Sequence, residues 1–342
     1  MDSQMIFNRI KENTQSEIAC CFDKTILIQG DSLEKLKLIP DHCIALILTD
    51  PPYHSTKKKN IYGDTDFTID EEYIKWMKQF SEEWKRILKN NGSIFCFCSA
   101  AMATQLEIMF SEDFNILSQI VWTKPNAPGY DGWKQKMKKE NLRQWYMYSE
   151  RILFMEPKCE GNLYRSYFGV MLKKWRKIAG LSGHRLTELT GAYGKVNHGG
   201  AVSNWEAGRN IPSREQYDKI KEALLSTGKI DSLPDYEDVI RPFNVNKNVE
   251  FTDVWNFQNV RQYRGKHPAE KPIDLLEHAI KSTTYDNDIV LDCFAGSGTT
   301  TIAANNLGRY SIGIEIESKW YDYMKSRVKC ADTKCEQLKL LV

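Results

Sequence analysis

Asp288-Ile-Val-Leu-Asp-Cys-Phe-Ala-Gly-Ser-Gly-Thr-Thr300 is the stretch that decides the fold. Its apolar start, Asp288 to Asp292, has the length and branching of a buried strand. Phe294 to Thr300 then reads as a Gly-rich turn opening a helix. Gly296 and Gly298 let the backbone turn sharply and approach a ligand, and the helix start offers free amide groups. Tyr310-Ser-Ile-Gly-Ile-Glu315 is a second strand, and its terminal acid lies 23 residues after Asp292. An acid at that distance from such a turn suits the hydroxyls of a ribose. The three-glycine dinucleotide fingerprint is absent. Asp292, a carboxylate just before the turn, suits a cationic or amine-bearing ligand better than a pyrophosphate.

The same grammar of strand and helix runs through the N-terminal part. Thr25 to Asp31, Cys43 to Thr49, Ser93 to Cys98, Asn115 to Trp122 and Arg151 to Met155 read as strands. Asp70 to Lys89 carries apolar residues at helical spacing. Ile273 to Thr283 and Ser318 to Lys329 read as further helices. Apolar strands alternating with amphipathic helices predict an α/β fold whose parallel sheet is covered on both faces.

Asp50-Pro-Pro-Tyr53 follows the strand Cys43 to Thr49, and ligands in such sheets sit beyond the C-terminal strand ends. Two prolines fix the backbone and remove its N–H donors. The Asp50 carboxylate and the Pro51 carbonyl remain as two rigid acceptors. An exocyclic amine has two N–H donors that this pair can accept, which frees the nitrogen lone pair for attack. Pro52 holds the turn, and Tyr53 offers a face for stacking a base.

These residues resemble the DNA amino-methyltransferase family in its permuted beta order, where the Asp-Pro-Pro-Tyr half precedes the cofactor half. The resemblance covers about Thr25 to Pro157 and Phe251 to Val328. It implies a Rossmann-like S-adenosylmethionine-dependent methyltransferase sheet in permuted order, with Asp50, Pro51, Pro52 and Tyr53 as the catalytic group. It also implies a cofactor pocket of Asp31, Lys271, Asp292, Phe294, Gly296, Gly298 and Glu315. Asp31 stands in Gly30-Asp31-Ser32 and Lys271 in His267-Pro-Ala-Glu-Lys-Pro272, beside the cofactor's methionine end. Trp122-Thr-Lys124 resembles the strand past the catalytic loop. Lys57, Lys58 and Lys59 fall in a loop expected near an extruded base and the DNA backbone.

Tyr167 to Ser226 differs from the rest. It has helical periodicity, no strand pattern, and from Arg165 to Arg214 nine Lys or Arg against two acids, in a chain of net charge +2. Such a block suits a polyanion or a solvated helix face. A Pro-containing loop, Gly228 to Asn248, follows. Val202-Ser-Asn-Trp-Glu-Ala-Gly-Arg-Asn-Ile-Pro212 resembles a phage-repressor-type helix-turn-helix. That likeness implies contacts from about Lys195 to Asn204 in the major groove, with Lys195, Asn197, Ser203 and Asn204 as readers. Gly191 to Gly200 is longer and richer in glycine than the usual turn. Lys134, Lys136, Lys138 and Lys139 are further candidates for DNA contact. Three segments are therefore expected: 1–160 with Asp-Pro-Pro-Tyr, 161–235 as a small all-α insert for target recognition, and 236–342 with the cofactor motif.

The odd count of nine cysteines, several within apolar strands, fits free thiols in a reducing compartment. Cys330 and Cys335 lack a second pair, so no metal is expected. No Pro-Cys dipeptide occurs, which argues against cytosine C5 chemistry. No apolar run approaches a bilayer span, and Met1 to Asp23 lacks signal-peptide features, so a cytoplasmic protein is expected. The resulting expectation is methyl transfer to adenine N6 in double-stranded DNA. Cytosine N4, or a DNA-binding regulator with a vestigial methyltransferase fold, are the alternatives. A homodimer and a cognate restriction endonuclease stand open as partners.

Overall fold

The computed structural model describes residues 2–54, 63, 67–125, 140, 143, 145, 148–159, 166–193, 200–244 and 252–339. Side chains are described as far as 331. Lys57, Lys58, Lys59, Lys134, Lys136, Lys138, Lys139, Lys195 and Asn197 lie outside them. Two compact units emerge: Met1–Glu156 with Phe243–Val342, and Pro157–Pro242.

The larger unit is an α/β fold. Its strands are β1 (Ala19–Cys21), β2 (Thr25–Gln29), β3 (Ile44–Thr49), β4 (Leu88–Cys98), β5 (Phe114–Thr123), β6 (Ser149–Pro157), β7 (Val254–Asn256), β8 (Ile289–Asp292) and β9 (Tyr310–Glu315). They form one sheet in the order β1-β2-β9-β8-β3-β4-β6-β5-β7. The centre is parallel: β2 with β9, β9 with β8, β8 with β3, and β3 with β4. β1 and β6 pair antiparallel with β2 and β4.

β3 and β8 explain how distant segments meet. Every residue of Ile44–Thr49 and Ile289–Asp292 is buried, as strands covered on both faces require. Leu46 pairs with Val290 and Ile47 with Leu291. The two chains therefore leave the sheet side by side and in one direction, one into Asp50-Pro-Pro-Tyr53 and the other into the glycine turn.

Helices α1 (Ser3–Asn13), α2 (Ser32–Leu36), α3 (Asp70–Ile87) and α4 (Ala103–Phe110) belong to this unit. α3 buries Tyr73, Met77, Phe80, Trp84 and Ile87 at helical spacing. Asp70, Glu71 and Glu72 in its first turn and Lys85 and Arg86 in its last complement the helix dipole. The periodicity predicts a helix to Lys89, but Leu88 is already extended at ψ 135° and begins β4. Among the described residues the apolar core of this unit falls into three clusters. One holds Phe80, Trp84, Phe110 and Ile47, a second Leu48, Phe97, Trp122 and Leu276, and a third Leu27, Ile302, Tyr321, Met324 and Val328.

The smaller unit is helical among its described residues: α5 (Tyr167–Ala179), α6 (Gly183–Thr190), α7 (Ala201–Glu206), α8 (Arg214–Leu225) and α9 (Tyr236–Val239). Ser166, Ser182 and Ser213 cap α5, α6 and α8 through side-chain bonds to backbone N–H groups. Phe168, Leu172, Leu186, Val202, Trp205 and Tyr217 form its core. Arg176 grips Glu206 through two bonds of 2.5 and 3.1 Å, tying α5 to α7. A Cβ on Gly169 would lie 2.5 Å from the Trp205 carbonyl oxygen, so glycine is needed where these helices cross. α9 falls within the stretch read as a loop. Its Tyr236 hydroxyl donates to the Pro212 carbonyl, a tertiary bond that local sequence does not announce.

In the larger unit, α10 (Ile273–Thr283), α11 (Thr299–Asn306) and α12 (Ser318–Lys339) complete the fold. α12 continues past the Lys329 end expected from periodicity.

Candidate active site

A cavity of about 330 Å³ opens where β3, β8 and β9 end. Asp50, Pro51, Pro52 and Tyr53 line one part of it, and Asp292, Phe294, Gly296 and Glu315 another. The two segments singled out in the sequence thus share one space.

The glycine turn is held from beneath. Asp292, only 5% exposed, accepts from the Thr49 hydroxyl at 2.9 Å and the Phe294 N–H at 3.1 Å. Glu315 accepts from Gly296 N–H and Glu317 N–H, both at 2.8 Å. Burial pushes these carboxyls up, Asp292 to about 6 and Glu315 to about 7. Both are therefore poised to gain from a ligand that donates hydrogen bonds or carries positive charge. Phe294 packs against Trp76 and Phe80, with ring centroids at 5.7 and 5.0 Å, and gives the cavity an aromatic wall.

Gly296 has φ 49°, and a Cβ there would meet the His267 ring at 2.9 Å. Gly298 has φ 74° and a Cβ would meet Met324 at 2.5 Å. Positive φ and the lack of room for a Cβ call for glycine at both; Gly296 lines the cavity, whereas Gly298 is set back from it as the N-cap of α11. Asp31 lines the cavity too, while its side chain caps α2 by accepting from Leu33 N–H and Glu34 N–H at 2.9 and 3.3 Å.

Asp50 is paired with Lys271 through Oδ2. Its Oδ1 is buried without a hydrogen-bond partner among the described residues. An unsatisfied buried oxygen costs about 1–3 kcal/mol, and a substrate amine is a donor that would satisfy it. Burial raises the Asp50 carboxyl, and Lys271 works against that rise. Lys271, expected beside the cofactor, is thus committed to the acceptor carboxylate.

Two further charged groups surround this pair. Glu150 accepts from the Tyr53 hydroxyl at 3.1 Å, pairs with Lys124, and lies 3.5 Å from Lys271 Nζ. Burial alone would raise Glu150, but Lys271 and Lys124 outweigh it and hold the carboxyl down to about 2. Glu150 stands at the start of β6 with no motif around it, so only the sheet order reveals it. Lys124 was visible as part of Trp122-Thr-Lys124, though not as its partner. His267, edge-on to Trp320 with centroids 4.5 Å apart, is pushed down to about 4 by burial and by Lys271, and is neutral near pH 7.

In the helical unit, Ser203 is exposed and its hydroxyl donates to the Gly200 carbonyl at 3.0 Å. Asn204, partly exposed, accepts from Arg209 at 3.3 Å. Both lie on α7.

A family model described as DNA methylase matches residues 44–326. Type II methyltransferase M.BglII of Bacillus subtilis is 28% identical over 328 residues, which is 91% of this chain and 71% of that protein. DNA adenine methyltransferase YhdJ of Escherichia coli (strain K12) is 29% identical over 304 residues, 87% of this chain and 80% of that one. Among solved structures, PvuII DNA methyltransferase (cytosine-N4-specific) superposes with a TM-score of 0.51 at 17% identity, covering 89% of this chain and 86% of that one. The M1.HpyAVI–SAM complex gives 0.50 at 20%, covering 89% and 98%. Both likenesses concern the fold.

Proposed function

The chain belongs to the DNA methylase family, and from that premise we propose that it methylates N6 of adenine in duplex DNA at a specific sequence, with S-adenosylmethionine as donor. The observation that carries this is the single cavity shared by Asp50-Pro-Pro-Tyr53 and the glycine turn. The adenine assignment draws on YhdJ and on the aspartate that opens the acceptor motif.

The residues present fit the donor. Glu315 offers carboxylate oxygens for ribose hydroxyls, Phe294 an aromatic face, and Gly296 a close backbone approach. Asp292 and Asp31 add acidic groups that suit a cationic ligand. When bound, S-adenosylmethionine supplies a methyl group made electrophilic by its sulfonium. The chain's own work is positioning. Asp50 and the Pro51 carbonyl accept hydrogen bonds from the two amine N–H groups and orient its lone pair, and Tyr53 stacks on a base extruded from the duplex. No covalent bond to the protein is needed.

The helical unit, the 161–235 segment of the sequence reading, is proposed as a helix-turn-helix target reader. Its basic character and the placement of Ser203, Asn204 and Arg209 on and after α7 support that reading.

Labelled cofactor, duplex DNA and digestion to nucleosides test the chemistry. Label in N6-methyladenosine is expected. Label in N4-methylcytosine overturns the base assignment, and DNA without label overturns the reading.

A further inference from the structure

His54 follows Tyr53 directly, and its side chain is only 3% exposed. Its Nε2 meets Oδ1 of Asp70, in the first turn of α3, at 2.9 Å. The partner is a carboxylate, so Nε2 carries the proton and donates. Oδ2 of Asp70 accepts from Gln105 on α4 at 3.2 Å, which orients the carboxylate from a second side. The imidazole stacks on the Tyr73 ring of α3, with centroids 5.6 Å apart. Nδ1 is buried with no hydrogen-bond partner among the described residues. An apolar ring would fill the same space without leaving a polar nitrogen unpaired, so packing alone does not account for a histidine here.

The same helix supports the other half of the cavity. Trp76 and Phe80, further along α3, pack against Phe294 with centroids 5.7 and 5.0 Å apart. Tyr73 joins the two ends, its ring 5.9 Å from that of Trp76. α3 therefore holds the exit of the acceptor motif at its start and backs the aromatic wall of the glycine turn in its middle.

We propose, on the amine-methylation reading above, that His54 is a positioning residue. Through Asp70 it ties Tyr53 and the acceptor pair to α3, and so fixes their distance from the wall at Phe294. His54 is not among the residues that line the cavity, so it acts on the geometry and touches neither ligand. The Tyr53 hydroxyl is held by Glu150, which sets the tip of the ring, and His54 sets the backbone from which the ring hangs.

Methyl transfer brings together two ligands that are bound separately. Each keeps its own contacts whether or not the two are aligned. Misplacement by roughly an ångström can nevertheless cost on the order of a hundredfold in rate. Loosening the tether therefore lowers the transfer rate and leaves both affinities in place. No bond is made and no proton moves at His54.

The test is His54→Phe, which fills the space with a ring and removes the tether. Single-turnover methyl transfer is followed with cofactor and duplex DNA both saturating. The rate should fall at least about tenfold, with the melting temperature and the Kd for each ligand near the parental values. Asp70 is half-exposed and lies outside the cavity lining, so Asp70→Ala cuts the tether with little disturbance of the core. It should show a similar loss. Asp70→Asn keeps an acceptor for Nε2 and should recover most of the rate. Combining His54→Phe with Asp70→Ala should be no slower than either alone, since both act through one bond.

A parental rate in His54→Phe, losses that multiply in the double variant, or a loss confined to the ligand affinities each overturns the proposal. If His54→Phe fails to fold, Asp70→Ala against Asp70→Asn decides, and equal rates in those two overturn it. Asp50→Ala separates the two levels. Methylation persisting in that variant removes the amine-transfer reading itself. An inactive Asp50→Ala beside a fully active His54→Phe removes only the role of His54.

Discussion

Thr49 and Asp292, 243 residues apart, are joined by a 2.9 Å hydrogen bond at the point where β3 and β8 leave the sheet. The Thr49 hydroxyl also accepts from the Cys293 N–H at 3.2 Å. One buried side chain thus pins the acceptor strand to the base of the glycine turn. The permuted order of the chain is irrelevant to this joint, because both strands deliver their ends to the same edge.

Thr49→Val is nearly isosteric and removes both bonds. It leaves a buried N–H without a partner and Asp292 with one donor fewer. A loss of about 1–3 kcal/mol in stability is expected. Urea unfolding measures it, and a weakened cofactor affinity by calorimetry should accompany it. Unchanged stability and affinity would show that the two halves are held by the sheet alone.

Cofactor binding should strengthen with pH through neutrality. Burial raises Glu315 from 4.5 to about 7, so the free protein holds a proton there that the unfolded chain has released. The sign for stability follows. Its contribution is fully present below pH 4.5 and is lost as pH rises through about 7. Ribose hydroxyls donate best to the ionised carboxylate, so affinity moves the opposite way and rises over that window. Titrations from pH 6 to 8 should show tightening in the parent and a flat profile in Glu315→Gln. A flat parental profile would remove Glu315 from the ribose.

Asn204→Ala should relax sequence discrimination. A lost base contact costs about 1–3 kcal/mol at one position, whereas a lost phosphate contact weakens all sequences alike and lowers the salt slope. Competition between specific and random duplexes, repeated over a salt series, separates the two. A uniform loss with a reduced slope would make this face a backbone-binding surface.

The order of strand and helix was legible because β3 and β8 are apolar along their whole length and α3 keeps strict helical spacing. Asp50 and Glu315 were legible because their meaning is local, set by the strand end each follows. Glu150 was not. It meets its partners only because β6 pairs with β4 and its other neighbour β5 ends one residue before Lys124, a matter of sheet order that no spacing encodes. Lys271 was found, but its partner was not, since His267 to Pro272 reaches Asp50 only through the fold. Gly298 is expected in the pocket from its place in the motif; in the structure it caps the start of α11 with φ 74°, one step behind the residues that line the cavity. The end of α3 is not legible in the pattern, because Leu88 continues the apolar spacing while its backbone turns extended.

The central claim is that Asp50 serves the methyl transfer itself. Single-turnover methylation should be followed in the parent and in Asp50→Ala, with cofactor and DNA both saturating. The account predicts that the variant binds both ligands with near-parental affinity and transfers methyl at least about a hundredfold more slowly, as expected when a transition-state contact is removed. Transfer at the parental rate by Asp50→Ala would contradict it.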